Sequence, residues 1–348
     1  MKALLLLLAA LPAAASAQVQ LNGAGATFPN IVYQNWMLTY NQTHADVKLN
    51  YQSIGSGGGI RQFSDGTVDF GASDAPMSDS AIAAIGGNVL HIPTVLGAVV
   101  AAFNLPGVAQ PVRFTPEVLA DIFLGKITNW SDARLASINP GVTLPSQDII
   151  VVHRSDGSGT TYVWVDYLTK VSPEWAQKVG RGTSVNWPVG LGGRGNEGVA
   201  ATVRQTPGAI GYVELGYALI NKMSFGVLRN RSGNWITPSL ESVTAAAAGA
   251  MKEMGPNTDF RVSITDSPGA QAYPAASFTW LLVHKTYTDS VKARALVQFI
   301  WWAETDGQAK TTEVGYAPLP KELRGWIQAR LKSITAGGRP VWKGPAAE

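Results

Sequence analysis

Apolar and polar positions change period several times along the chain. Val47 to Tyr51 alternates in the manner of a half-buried strand, and Val68 to Asp74 reads as a second short strand ending in polar residues. Residues 30–41 carry Ile31, Trp36 and Leu38 among the apolar positions of a predicted amphipathic helix. Further helices are predicted over 78–85, from Thr115 to Gly125, and over 239–254, 291–304 and 320–332. Two longer apolar runs stand apart, IPTVLGAVVAAFNL at 92–105 and ASFTWLLVH at 276–284, and both suit strands buried on two faces. Strands alternating with helices through tight turns predict an α/β fold with a mostly parallel sheet. A chain of 348 residues exceeds what one compact core usually serves, so two lobes are expected. If the two long runs cross between lobes near 103 and 276, lobe 1 comprises 18–102 plus 276–335 and lobe 2 comprises 103–275. A Gly- and Pro-rich tail, 336–348, is then expected to fray. Two crossing strands would leave a cleft that closes by hinge motion.

The first residues, MKALLLLLAALPAAASAQ, add a compartment. Lys2, a short apolar core and the small-x-small triplet Ala15-Ser16-Ala17 predict a secretory leader over 1–17, too short to span a membrane. Its removal takes one unit from a formal charge of +3, and the remaining cations are dispersed, which argues against nucleic acid as a partner. The chain has no cysteine, which excludes disulfides, thiolate chemistry and a lipid anchor on a cysteine after the leader. No H-E-x-x-H or similar ligand spacing suggests a metal, and no cofactor fingerprint is complete.

Candidate chemistry gathers in three turns rich in small residues and hydroxyls, each leading into a predicted helix. They are Ala26-Thr27-Phe28, Gly55-Ser56-Gly57-Gly58 and Ser158-Gly159-Thr160. A helix N-terminus presents free N–H groups and the positive end of its dipole, and small residues let an anion approach them. Ser and Thr are also ordinary helix caps, so one such turn means little; three together, with Arg154 beside one, point to an anion site. Arg154 offers a rigid fork for a tetrahedral oxyanion, and Asp156 is placed to hold that fork. Asp74 would repel an anion unless it accepts a proton from it, which phosphate can supply and sulfate cannot; the alternative is a plain capping role in SDAPMSDS. A rival reading makes Ser158 a hydrolytic nucleophile. It would need a base from among His44, His91, His153 and His284, and no G-x-S-x-G elbow is centred on Ser158.

The segments GAGATFP (23–29), GSGGG (55–59), VDFGASDAP (68–76), DGSGTT (156–161) and PGAIGYVE (207–214) resemble the periplasmic phosphate-binding proteins of phosphate-specific ABC transporters. IPTVLGAVV, LGKITNW, LPSQDIIVV and WPVGLGGRGNEGVAA match in the same order, so the resemblance covers nearly the whole mature chain. It implies the type II periplasmic-binding-protein fold, two α/β lobes joined by a two-strand hinge with the ligand in the cleft between them. It also implies a phosphate shell of Thr27, Phe28, Ser56, Asp74, Arg154, Ser158, Gly159 and Thr160, with Asp156 pairing the arginine. Gly57 stands where the family pattern has a second serine, and His153 and Ser155 flank the arginine in place of Arg and Ala. The implied partners are inorganic phosphate and the membrane permease of an ABC importer; a periplasmic monomer without enzymatic activity is expected. Another oxyanion, such as arsenate, sulfate or a phosphonate, is the alternative ligand.

Overall fold

The computed structural model describes residues 18–345, so the expected leader lies outside the described residues. One mixed sheet organises the chain, in the spatial order β2 (Val47–Ser53), β1 (Val19–Gly25), β3 (Phe70–Ser73), β12 (Ala276–Val283), β4 (Leu90–Phe103), β8 (Ala209–Glu214), β6 (Ile150–Arg154) and β7 (Leu191–Gly193). The short strand β9 (Ser224–Phe225) also pairs with β4. Two three-stranded sheets lie apart from it. One joins β5 (Arg113–Phe114), β10 (Val227–Arg229) and β11 (Trp235–Ile236); the other joins β13 (Thr286–Tyr287), β14 (Thr335–Ala336) and β15 (Arg339–Pro340).

The run at 92–105 becomes β4, and all of its residues are buried. Its first part pairs antiparallel with β12 as far as Ala98, and from Val99 it pairs antiparallel with β8. One strand thus serves two sheet halves, and β12 begins beside the change of partner, with Ala276 opposite Ala98. Outside these crossings the pairing is parallel: β1 with β2 and β3, and β6 with β7 and β8. The antiparallel centre departs from the mostly parallel expectation because β4 and β12, side by side in the middle of the sheet, run in opposite directions. Mixed α/β lobes share this continuous sheet, as in the type II periplasmic-binding-protein fold.

Local signals set most helix starts. Thr115 caps the helix Pro116–Phe123, Ser78 caps Asp79–Ala84, and Ser239 forms a capping box with Ser242 at Leu240–Ala250. In the helix Asn30–Thr43 the buried face is Val32, Tyr33, Trp36, Met37 and Tyr40. Leu38, read as apolar-face, is 61% exposed, because two residues beyond Trp36 is roughly 200° around the helix. The helix Ser290–Trp302 ends two residues early and widens into a π-turn, Ala303–Gly307, whose last carbonyl accepts the Trp36 indole N–H at 2.8 Å. The chain end does not fray as expected up to the last described residues. It closes the β14–β15 hairpin and buries Trp342 beside Trp301, with ring centroids 5.4 Å apart.

A segment before β12 runs over both halves of the molecule. Arg261 Nη1 donates to Met77 O at 2.9 Å and pairs with Asp79 at 2.7 Å, while Arg330 donates to Thr258 O at 2.7 Å. Only two residues after Arg261, Ser263 Oγ donates to Asp166 Oδ2 at 2.7 Å, and Thr265 Oγ1 donates to the same oxygen. Asp166 belongs to the helix Gly159–Val171, which packs on β8.

At the crossing, Gly97 faces the Phe28 ring. A Cβ there would lie 2.5 Å from Phe28 Cζ and 3.2 Å from Glu214 Oε1. Gly97→Ala should therefore lower stability by about 1–3 kcal/mol through overpacking. Urea unfolding checks this: a lower midpoint at unchanged slope is expected, and a wild-type midpoint would show that the Phe28 ring yields freely.

Candidate functional site

The three small-residue turns meet. Ser56 opens the helix Ser56–Ser64 and Ser158 caps the helix Gly159–Val171, its Oγ accepting the Thr161 N–H at 3.0 Å. Thr27 and Phe28 sit at the end of β1, before the helix Asn30–Thr43. All of the expected shell residues, Thr27, Phe28, Ser56, Asp74, Arg154, Ser158, Gly159 and Thr160, lie in or beside this junction, and their side chains are buried. Asp156 is partly exposed at its rim.

The approach of the turns demands glycine. Gly55 has φ +88°, and a Cβ on it would lie 2.3 Å from Asp156 Oδ2. A Cβ on Gly159 would lie 2.4 Å from both Asp74 Oδ2 and Ser56 Oγ, so the start of the helix Gly159–Val171 rests directly on the Asp74 carboxylate. The Gly57 N–H donates to Gly157 O across the junction at 2.9 Å, and a Cβ on Gly57 would come within 3.0 Å of Gly157 Cα. A serine at 57 would push the turns apart by a few tenths of an ångström. The N–H groups of Phe28, Ser56, Gly159 and Thr160 find no acceptor among the described residues. Those of Ser56, Gly159 and Thr160 are the free donors of helix starts, and that of Phe28 lies just before one.

Arg154 is the buried cation of the site. Its Nε donates to Asp156 Oδ1 at 2.7 Å and its Nη2 to Oδ2 at 2.5 Å, the fork-on-fork pairing that fixes a guanidinium in plane. Nη1 reaches Thr160 Oγ1 at 3.3 Å. Asp156 Oδ1 also accepts the Gly195 N–H at 3.0 Å. Burial alone would raise the Asp156 carboxyl, but the hydrogen bonds and charge of Arg154, with the Gly195 N–H, hold it below the usual carboxylate range.

Asp74 follows the end of β3. Its Oδ1 accepts from Thr279 Oγ1 at 2.8 Å, and its Oδ2 lies 3.4 Å from Ser56 Oγ. Burial pushes its carboxyl up to about 7, against the lowering effects of the Thr279 hydrogen bond, the Arg154 charge and Ser56. A capping role is not what it performs: the Asp79–Ala84 helix is capped by Ser78.

No histidine serves Ser158. His153 Nδ1 contacts Arg154 O at 3.0 Å and its ring stacks on Trp187, His91 Nε2 accepts the Met77 N–H, and His44 and His284 contact the backbone at Tyr40 and Asn88. Ser158 therefore acts as a cap and lacks a base. Among the described residues no group of His, Asp and Glu is arranged to hold a metal ion.

Two residues missed in the sequence enter the site. Thr279 lies within the apolar run of β12, and its hydroxyl gave no sign of meeting Asp74 from 205 residues away. Asn196, near the start of the helix Gly195–Gln205, is fully buried and contacts both Thr27 and Thr160. The Gly-Asn pair after a strand was a visible signal of a fourth helix start; nothing local aimed it at the other three.

The raised Asp74 value makes stability depend on pH. Because the folded-state value of about 7 lies above the ordinary 3.8, the folded form is favoured while the carboxyl is protonated. That contribution is lost as pH rises from about 4 through about 7. Asp74→Asn keeps the shape without the charge. The ligand-free variant should melt near wild type at pH 4 and above it at pH 8; a constant gap across that window would show that Asp74 is not the titrating group.

Comparison with known proteins places the chain in a family. The PBP superfamily domain matches residues 12–304. A phosphate-binding protein PstS from Xylella fastidiosa (strain 9a5c) is 46% identical over 312 residues, covering 89% of this chain and 84% of the relative. A protein of the same name from Pasteurella multocida is 44% identical over 326 residues and 93% of both chains. The solved phosphate-binding protein from Stenotrophomonas maltophilia shares the fold, with a TM-score of 0.71 at 20% identity over 90% of this chain and 94% of its own. A high-affinity periplasmic phosphate-binding protein bound with phosphate at pH 8.5 does so equally, with a TM-score of 0.71 at 20% identity over 89% and 93%. The chain belongs to the PstS family of phosphate-binding proteins, within the PBP superfamily.

Proposed function

We propose that this protein binds inorganic phosphate between its lobes and delivers it to the permease of an ABC importer. It acts as a binding protein, not as an enzyme. Thr27, Phe28, Ser56 and Asp74 supply the ligand contacts of lobe 1 (18–102 with 276–335), and Arg154, Ser158, Gly159 and Thr160 those of lobe 2 (103–275), with Asp156 holding the arginine. The observation that carries this reading is Asp74, a buried acceptor beside a buried cation and a set of unfilled N–H donors.

The chemistry follows from donor counting. Phosphate carries bare oxygens and at least one protonated one near neutral pH. The bare oxygens take the backbone N–H groups, the hydroxyls and the Arg154 Nη hydrogens that Asp156 and Thr160 leave free. The proton goes to Asp74, whose other oxygen is already engaged by Thr279. Sulfate has no proton to give, so it would set two acceptors against each other in a site with little water. Because the shell is complete only when both lobes meet, ligand favours the closed form. The leader over 1–17 fits export to the periplasm, where a monomer without a lipid anchor would meet the permease. No helix among the described residues is long and apolar enough to cross a membrane.

Calorimetric titration of ligand-stripped protein at pH 8.5 tests the reading. Tight one-to-one phosphate binding without sulfate heat is expected, and no phosphate binding would overturn it. Asp74→Asn should narrow the phosphate preference over sulfate by at least about tenfold, since its amide can donate to a bare oxygen. Arg154→Ala should weaken phosphate by about 2–3 kcal/mol, on the order of a hundredfold; unchanged affinity would remove Arg154 from the shell.

A further inference from the structure

We propose that Asn196 is a positioning residue that turns the hydroxyls of Thr27 and Thr160 into obligate donors toward the ligand and ties the two lobes together in the closed form. The inference rests on the phosphate-binding reading above and assigns a task to a residue outside the expected shell.

The argument starts with the amide itself. Asn196 Oδ1 accepts the Glu214 backbone N–H at 2.9 Å. A backbone N–H can only donate, so this bond fixes which end of the amide is oxygen. The opposite end, Nδ2, then points into the site. It donates to Thr27 Oγ1 at 2.7 Å and to Thr160 Oγ1 at 3.0 Å. Thr27 belongs to one lobe and Thr160 to the other, so one NH2 group bridges them.

Each hydroxyl receives a second donor. The Asn196 backbone N–H reaches Thr27 Oγ1 at 3.3 Å, and Arg154 Nη1 reaches Thr160 Oγ1 at 3.3 Å. A hydroxyl has two acceptor positions and one hydrogen. With both acceptor positions taken by groups that can only donate, each threonine is left with its hydrogen alone to offer. Neither hydroxyl donates to a protein group among the described residues. Both hydrogens are thereby reserved for an acceptor in the cleft. Asn196 is fully buried, so no solvent competes for its NH2.

The consequence is a polarity across the site. At the Thr27–Thr160 end the protein offers hydrogens only and requires a deprotonated ligand oxygen. At the Asp74 end it offers an acceptor and requires a protonated one. A ligand with both kinds of oxygen then has a fixed orientation.

A double-mutant cycle on the full-length, ligand-stripped protein tests this with phosphate as the probe, read by calorimetry. Asn196→Ala should weaken phosphate about tenfold or more, and Thr160→Val in the wild-type background should cost a similar factor. Thr160→Val added to Asn196→Ala should cost much less, because the hydroxyl is no longer held as a donor. A purely structural role for Asn196 predicts the same Thr160→Val factor in both backgrounds, and that result would overturn the proposal. Should Asn196→Ala not fold, Asn196→Asp keeps the shape but replaces the NH2 by an acceptor that draws both hydroxyl hydrogens inward. Its phosphate affinity should fall further than that of Thr160→Val, while wild-type affinity would sink the inference. Wild-type protein that binds no phosphate overturns the functional reading and this one together; wild-type protein that binds while Asn196→Ala equals it overturns this one alone.

Discussion

The site depends on a buried guanidinium that must be satisfied before any ligand arrives. Arg154 is almost fully enclosed, and taking such a cation out of water costs several kcal/mol unless a counter-charge is held in good geometry. Asp156 provides it with two parallel hydrogen bonds, and the Gly195 N–H steadies the carboxylate in turn. The pair is close to neutral, so Arg154 adds directed hydrogens more than net charge. Under the proposed function an anion would be met mainly by oriented dipoles: unfilled N–H groups of the turns and hydroxyls whose acceptor sides are already occupied. This explains why glycine recurs at 55, 57, 157 and 159. Dipoles act at short range, and any side chain at these positions would hold the two lobes apart.

The same arrangement accounts for the lone carboxylate among donors. Asp74 is poised by opposing influences, with burial favouring its neutral form and Thr279, Arg154 and Ser56 favouring its charged one. A carboxyl held at about 7 is neutral below that pH and a hydrogen-bond acceptor above it.

Much of this was legible in the sequence because it is local. The run at 92–105 reads as a doubly buried strand, and β4 is buried throughout. Hydroxyl and glycine clusters before helices read as anion-facing turns because capping chemistry acts within three or four residues. What stayed hidden is carried by long-range partners. Asn196 meets Thr27 across 169 residues, and Thr279 looks like one more residue of a core strand. The change of strand partner at Ala98 and Val99 left no mark either, since both sides of the change are equally apolar. The end of the chain departs from its sequence expectation for the opposite reason. Its Gly and Pro content speaks for a loose tail, while Trp342 finds an aromatic neighbour that no local rule could anticipate.

The segment around Val262 bears on how the molecule moves. Arg261 is fastened to Met77 and Asp79 on one body, and Ser263 to Asp166 on the other, with a single residue between them. A point bonded to two bodies that rotate against each other can keep both attachments only if it lies near the line that stays still. Together with β4 and β12, this short bridge would serve as the axle of the proposed closure. If the lobes turn against each other as proposed, the motion such a bridge would permit is a swing about it rather than a loose separation. In such a swing the Gly57–Gly157 hydrogen bond, which joins the two turns directly, would have to break.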